Sequence, residues 1–160
     1  MKHTISVIVG NKPGVLSRVA GLFSRRGYNI ESLAVGTTED PKVSRMTIVA
    51  EGDDQDLEQI IKQLYKLIDT IRVFDIPKDQ EIERELVLIK VSSTEKTRKE
   101  ITDIVKLFNA RIVDISEKSL IIDVCDEEDK VINLENMLRK FGIQELVRTG
   151  KIALQKGITK

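Results

Sequence analysis

The sequence predicts an α+β protein: two tandem ferredoxin-like βαββαβ units in one chain of 160 residues. Three observations predict it. Ile (21) and Val (15) dominate the apolar residues and Trp is absent, and β-branched residues at that density favour sheet. Apolar residues at helical spacing alternate with the strand-like runs. The order of elements in the first half then recurs in the second, each half holding about seventy residues, the size of one split βαβ unit.

Residues 4–9 form a short apolar run, a buried strand. Gly10-Asn11-Lys12-Pro13-Gly14 is a breaker cluster and predicts a tight loop. Val15, Leu16, Val19, Ala20, Leu22 and Phe23 recur at helical spacing, and Gly27 closes that helix. Residues 29–35 are a second strand, 36–41 a turn and 43–50 a third strand. Gly52-Asp53-Asp54 starts a helix with Leu57, Ile60, Ile61, Leu64 and Ile68 on one face; its acidic first turn suits the helix dipole. Residues 71–76 are the fourth strand. The polar stretch 77–85, with Lys78-Asp79-Gln80-Glu81, reads as a linker.

The pattern then restarts. Residues 86–91 are a strand, and Ser92, Ser93 or Thr94 caps a helix carrying Ile101, Ile104, Val105 and Phe108. Residues 111–115 and 120–125 are strands around a turn at 116–119. Asp126 to Asp129 opens a helix with Val131, Leu134, Leu138 and Phe141, and Gly142 ends it. Residues 143–147 are the last strand, which 152–154 extend or pair with. The expected division is 1–77 for the first domain, 78–85 for the linker and 86–160 for the second domain. So small a unit leaves a sheet face or edge for a partner to cover.

Composition excludes several functions. Lys+Arg and Asp+Glu are both 26, and neither half is basic: 11 basic and 10 acidic residues run to Lys78, 15 and 16 beyond it. A neutral chain does not hold duplex nucleic acid by phosphate contacts or lie on a membrane. The longest apolar runs are far short of the roughly 20 residues a span needs. Met1-Lys2-His3 leads directly into a strand with no signal segment, so a cytoplasmic location is expected. One Cys and one His leave no internal disulfide and no His/Cys zinc site. Cys125 reads as a small core hydrophobe and His3 as a surface residue.

No G-x-S-x-G, G-x-x-x-x-G-K-[ST] or H-E-x-x-H motif is present, and the acidic clusters sit at helix starts, where the dipole accounts for them. Nothing marks the chain as catalytic, cofactor-binding or metal-binding. RNA-recognition modules of this topology stack bases on sheet aromatics, but only Phe74 falls in a strand here.

The informative segment is the first loop. It leads from a buried strand into a helix N-terminus, whose unpaired N–H groups favour a carboxylate. Gly14 lets a ligand approach the backbone. The amides of Asn11 and Asn29 suit an ammonium or a carboxylate. Val15, Leu16 and Ile30 offer an apolar wall. Together these suit a small apolar amino acid. Local chemistry equally allows an Asx-turn at Asn11, with Pro13 and Gly14 as punctuation.

Residues 11–19, Asn11-Lys12-Pro13-Gly14-Val15-Leu16-Ser17-Arg18-Val19, resemble the opening of an ACT domain, an amino-acid-sensing module. Residues 23–33, Phe23-Ser24-Arg25-Arg26-Gly27-Tyr28-Asn29-Ile30-Glu31-Ser32-Leu33, are more specific. With Ser44-Arg45-Met46-Thr47-Ile48, Leu64-Tyr65-Lys66-Leu67, residues 84–91, 110–114 and the closing 148–154, they resemble the regulatory small subunits of acetohydroxyacid (acetolactate) synthase over nearly the whole chain.

The resemblance implies a non-catalytic subunit in branched-chain amino acid (valine and isoleucine) biosynthesis. It implies binding to a large subunit that carries thiamine diphosphate, FAD and magnesium. That subunit would be activated and made subject to feedback inhibition, usually by valine, with leucine or isoleucine as other effectors. ACT domains of this family pair into dimers and bind effector at the interface. Asn11, Gly14 and Asn29 carry over as effector-binding residues, with Val15, Leu16 and Ile30 beside them. Arg25, Arg26 and Arg45 are either surface ion-pairing residues or contacts to the large subunit. The alternative is a stand-alone amino-acid sensor controlling another enzyme or a transcription factor, although no helix-turn-helix segment is visible.

Overall fold

Residues 1–157 are described in the computed structural model, and they fall into two units: Met1–Ile82 with the described residues from Lys151 on, and Glu83–Gly150. In the first unit β1 (Lys2–Gly10), α1 (Val15–Arg25), β2 (Ile30–Thr37), β3 (Val43–Glu51), α2 (Asp54–Tyr65) and β4 (Thr70–Asp75) follow in the expected order. The sheet is antiparallel with strand order β2-β3-β1-β4. Alternate residues of its strands, Ile5, Val7, Val9, Met46, Ile48 and Val73, join Val15, Val19, Leu22 and Phe23 of α1 and Ile60 and Leu64 of α2 in one core. That is the two-layer solution for a sheet with one apolar face and helices with one apolar stripe.

The stripe on α1 is narrower than the sequence suggests. Leu16 points outward and is 45% exposed, whereas Val15 is buried. α2 begins with a capping box: Asp53 accepts from the N–H of Asp56 at 2.8 Å, and the Asp56 carboxylate accepts from the N–H of Asp53 at 3.1 Å. The helix ends at Tyr65, so Ile68, expected on its apolar face, lies beyond it and is exposed. The Tyr65 hydroxyl donates to the carbonyl of Val73 (3.1 Å) and accepts from its N–H (3.0 Å), clipping α2 to the outer side of β4. His3, expected at the surface, is half-buried, with Nδ1 at 3.6 Å from the Asp75 carboxylate.

The expected linker is structured. A 3-10 turn at Lys78–Gln80 leads directly into β5 (Glu81–Ser92), whose alternating burial starts at Glu81. β5 is followed by α3 (Arg98–Leu107), β6 (Arg111–Ile115), β7 (Ser119–Asp126), α4 (Glu128–Leu138) and β8 (Ile143–Arg148). Sheet order is β6-β7-β5-β8. Val87, Ile89, Val91, Leu120, Ile122 and Val124 face Ile101, Ile104, Val105, Val131, Leu134 and Leu138 in a second core. Cys125 falls on the opposite face of β7 and is exposed, because successive strand residues alternate sides.

Other details differ from the sequence reading. Thr97 precedes α3, and its hydroxyl accepts from the N–H of Thr94 (2.9 Å), so the expected cap at 92–94 is one half of a Thr–Thr turn. Phe141 lies in a 3-10 turn after α4, which Gly142 ends at φ 96°. β9 (Ile152–Gln155) pairs with β5 and not with β8. The remaining residues of the expected second domain, 158–160, lie outside the described residues.

Glu85 is 6% exposed, with Arg148 Nη1 at 3.5 Å. Burial pushes its carboxyl above the usual range; Arg148 pulls it back, while Glu128, Glu83 and Glu135 push it further up. A raised folded-state value contributes stability fully present below the ordinary Glu range, near ~4.3, and lost as pH rises through the raised value. Glu85→Gln therefore raises the melting temperature relative to the parent chain at pH 7 and not at pH 4. Equal shifts at the two pH values in thermal denaturation refute this.

Candidate functional site

The loop between β1 and α1 is held by three hydrogen bonds to two other segments. The N–H of Gly10 donates to the carbonyl of Asp69 at 2.9 Å, and that of Asn11 to the carbonyl of Lys42 at 2.8 Å. The Asn11 side chain donates from Nδ2 to the carbonyl of Pro41 at 3.0 Å, so it braces the β2–β3 turn and makes no Asx-turn. Gly14 is the N-cap of α1 at φ 82°, ψ −7°, a left-handed conformation that L side chains rarely adopt. No side chain caps this helix, so the first-turn N–H groups of Leu16 and Ser17 have no intrahelical partner.

The sequence-predicted residues do not meet in one chain. Gly10 pairs with Val43 and Thr37 with Ser44, so the Asn11–Leu16 loop stands at the end of the sheet where β2 finishes. Ile30 pairs with Ala50, and Asn29 just precedes it at the other end. From Ser44 to Ala50 along β3 is about 20 Å at ~3.3 Å per residue. Of the apolar candidates, Val15 is committed to the core, Ile30 packs against the core and only Leu16 is open beside the loop. Asn11 and Asn29 are both exposed.

Arg18 of α1 and Asp69 of the α2–β4 connection meet beside the loop, and no local sequence signal joins them. Arg18 Nη2 lies 2.5 Å from Asp69 Oδ2, and Lys12 Nζ lies 3.5 Å from Asp69 Oδ1. The hydrogen bond from Arg18 holds the Asp69 carboxyl below the usual range; desolvation opposes this, and the charges of Arg18 and Lys12 reinforce it. Elsewhere in the first unit, Arg45 and Arg72 stack on Phe74 at 5.6 and 4.7 Å from the ring centre. Arg25 and Arg26 are exposed. Among the described residues no group of three or more His, Cys, Asp or Glu is arranged to hold a metal ion, and no helix is long and apolar enough to cross a membrane.

The first βαββαβ unit turns from β1 through a left-handed glycine into an open helix N-terminus, and residues 5–72 match the family described as "AHAS small subunit-like ACT domain". Residues 84–157 match the family described as "Small subunit of acetolactate synthase", and the chain belongs to the acetolactate synthase small subunits. It is 58% identical over all 160 residues, the full length of both chains, to a probable acetolactate synthase small subunit of Archaeoglobus fulgidus. It is 48% identical to the acetolactate synthase small subunit of Mycobacterium leprae, over 97% of this chain and 92% of that one. The crystal structure of the acetolactate synthase small subunit of Thermotoga maritima superposes with a TM-score of 0.91 at 39% identity, covering 99% of each chain.

The backbone at Gly14 predicts a paired outcome. A Cβ there would stand 3.1 Å from Arg18 Nη1 in a conformation that costs a non-glycine residue about 1–2 kcal/mol. Gly21 lies inside α1 with nothing within 4 Å of its added Cβ. Gly14→Ala therefore lowers unfolding free energy by about 1–2 kcal/mol, whereas Gly21→Ala raises it by about 0.5–1 kcal/mol. Urea denaturation of the two variants checks the opposite signs.

Proposed function

We propose that this chain is the regulatory subunit of acetolactate synthase in cytoplasmic valine and isoleucine biosynthesis. It binds the catalytic large subunit, which carries the thiamine diphosphate, FAD and magnesium, and raises its activity. It also confers feedback inhibition by valine, or by leucine or isoleucine, bound between two copies of the ACT domain.

The observation that supports this reading most is the separation of Asn11 and Gly14 from Asn29 and Ile30 along β2. β2 is an edge strand with no outer backbone partner among the described residues. The opposite edge is blunted, because Tyr65 occupies both outward backbone groups of Val73. Antiparallel pairing of β2 with β2 of a second copy, about a two-fold axis, brings the Asn29 end of one copy against the Asn11–Leu16 loop of the other. The interface is isologous, so two equivalent sites form. In each, N–H groups of one α1 take the effector carboxylate, the two asparagines the ammonium, and Leu16 and Ile30 the branched side chain. A coupling of ~1–3 kcal/mol between this site and the large subunit gives roughly 5- to 150-fold modulation.

Complementation between variants tests the shared site. Gly14→Asp and Asn29→Ala each abolish valine inhibition of the assembled enzyme when present in every small subunit. In a mixed dimer one site carries both lesions and the other carries none, so mixing the two variants restores partial valine sensitivity. Failure of the mixture to regain any sensitivity, with mixed dimers confirmed by mass, rules out a site shared between copies.

A further inference from the structure

We infer that the second unit carries a binding site of its own, separate from the Gly14 loop, for a free α-amino acid with an aliphatic side chain. Val87, Ile89 and Val91 of β5 face the core, so the alternate residues Leu88 and Lys90 lie on the sheet face opposite α3 and α4. A pocket of about 290 Å³ opens on that face, lined by Leu88, Lys90, Ile121, Glu145, Leu146 and Val147 of β5, β7 and β8. Its volume is near the lower end of small-molecule sites, roughly 300 Å³. The hollow has a local cause. Lys90 pairs with Glu145 but Val91 pairs with Ile143, so the register shifts and Gln144 is an extra residue in β8. Gln144 Nε2 donates to Ser92 Oγ at 3.0 Å, which holds this bulge beside the pocket.

Two ion pairs stand on this face, and they differ. Arg111 grips Asp123 through two hydrogen bonds, from Nε at 3.2 Å and from Nη2 at 2.8 Å, so that pair is closed. Lys90 Nζ stands 3.6 Å from Glu145 Oε2, beyond hydrogen-bond reach, and among the described residues neither side chain makes a hydrogen bond. The ammonium donors and the carboxylate lone pairs are therefore left for a ligand, and this open pair is the one at the pocket. Its charges cancel, so the mouth favours neither a lone anion nor a lone cation. A free α-amino acid carries both charges on one carbon: its carboxylate meets Lys90 and its ammonium meets Glu145, each in a charge-assisted bond. Leu88 and Val147, cross-strand partners beside that pair, remain 39% and 61% exposed, and Ile121 is half-buried. These three take the aliphatic side chain out of water.

The test is an amide-resolved NMR titration of the full-length, isotope-labelled chain with leucine and three analogues. Leucinamide lacks the carboxylate, isocaproate lacks the ammonium and glycine lacks the side chain. Leucine shifts the amides of Leu88, Lys90, Ile121 and Val147 and binds there at least ~10-fold more tightly than each analogue. Lys90→Ala and Glu145→Ala each weaken leucine by at least ~10-fold. The exchanged pair, Lys90→Glu with Glu145→Lys, keeps both charges at the mouth and regains most of the affinity. A folded chain whose four amides do not move at millimolar leucine overturns the inference. So does one in which leucinamide, isocaproate or glycine binds there as tightly as leucine, the mark of an apolar hollow that recognises no zwitterion. Shifts at Asn11 and Gly14 report separately on the loop, so either site can fail without the other.

Discussion

The end of β1 is paired on both sides at once, and the geometry of the loop beyond it depends on that double pairing. Gly10 donates to the α2–β4 connection and Asn11 to the β2–β3 turn, so two chain segments far apart in sequence are bound to two adjacent residues. The ladder through β3 runs unbroken from Lys2 to Gly10, which fixes where the strand stops. Gly14 then turns the chain into α1 with its first N–H groups facing outward, and Val15 and Val19 lock the helix onto the sheet. The hydrogen bonds of Gly10 and Asn11 and the buried Val15 and Val19 thus tie the loop at both of its ends.

Both units were legible as βαββαβ because their strands are short apolar runs and their helices carry apolar stripes. The capping box was half legible: the acidic cluster at 53–56 marked the helix start, although its reciprocal bonds needed the fold. The start of β5 was not. Glu81, Glu83 and Glu85 alternate with Ile82, Arg84 and Leu86, and so charged a strand reads as solvated chain when its neighbours are unknown. Cys125 and Leu16 were misread for a shared reason, since an apolar residue within a periodic run need not lie on its buried side.

Asn11, Gly14 and Asn29 were picked out by residue type and family resemblance, and neither could show that they stand at opposite ends of one strand. Arg18 and Asp69 are 51 positions apart, and no local pattern joins them. Their contact arises because α1 and the α2–β4 connection both return to the end of β1. Such contacts escape single-sequence reasoning in general: the backbone positions them through pairings that periodicity predicts only as elements and not as neighbours.

The clip that Tyr65 places on β4 also bears on how large an assembly can grow. A sheet with two open edges is a repeating unit that adds copies indefinitely, as fibres do. One phenolic oxygen engages the donor and the acceptor of Val73 together, so the edge presented by β4 is interrupted at its middle. In the proposed pairing through β2, that interruption limits association through strand edges to two copies. The hydroxyl acts as a chain stopper, and Tyr65→Phe removes it at the cost of a single atom.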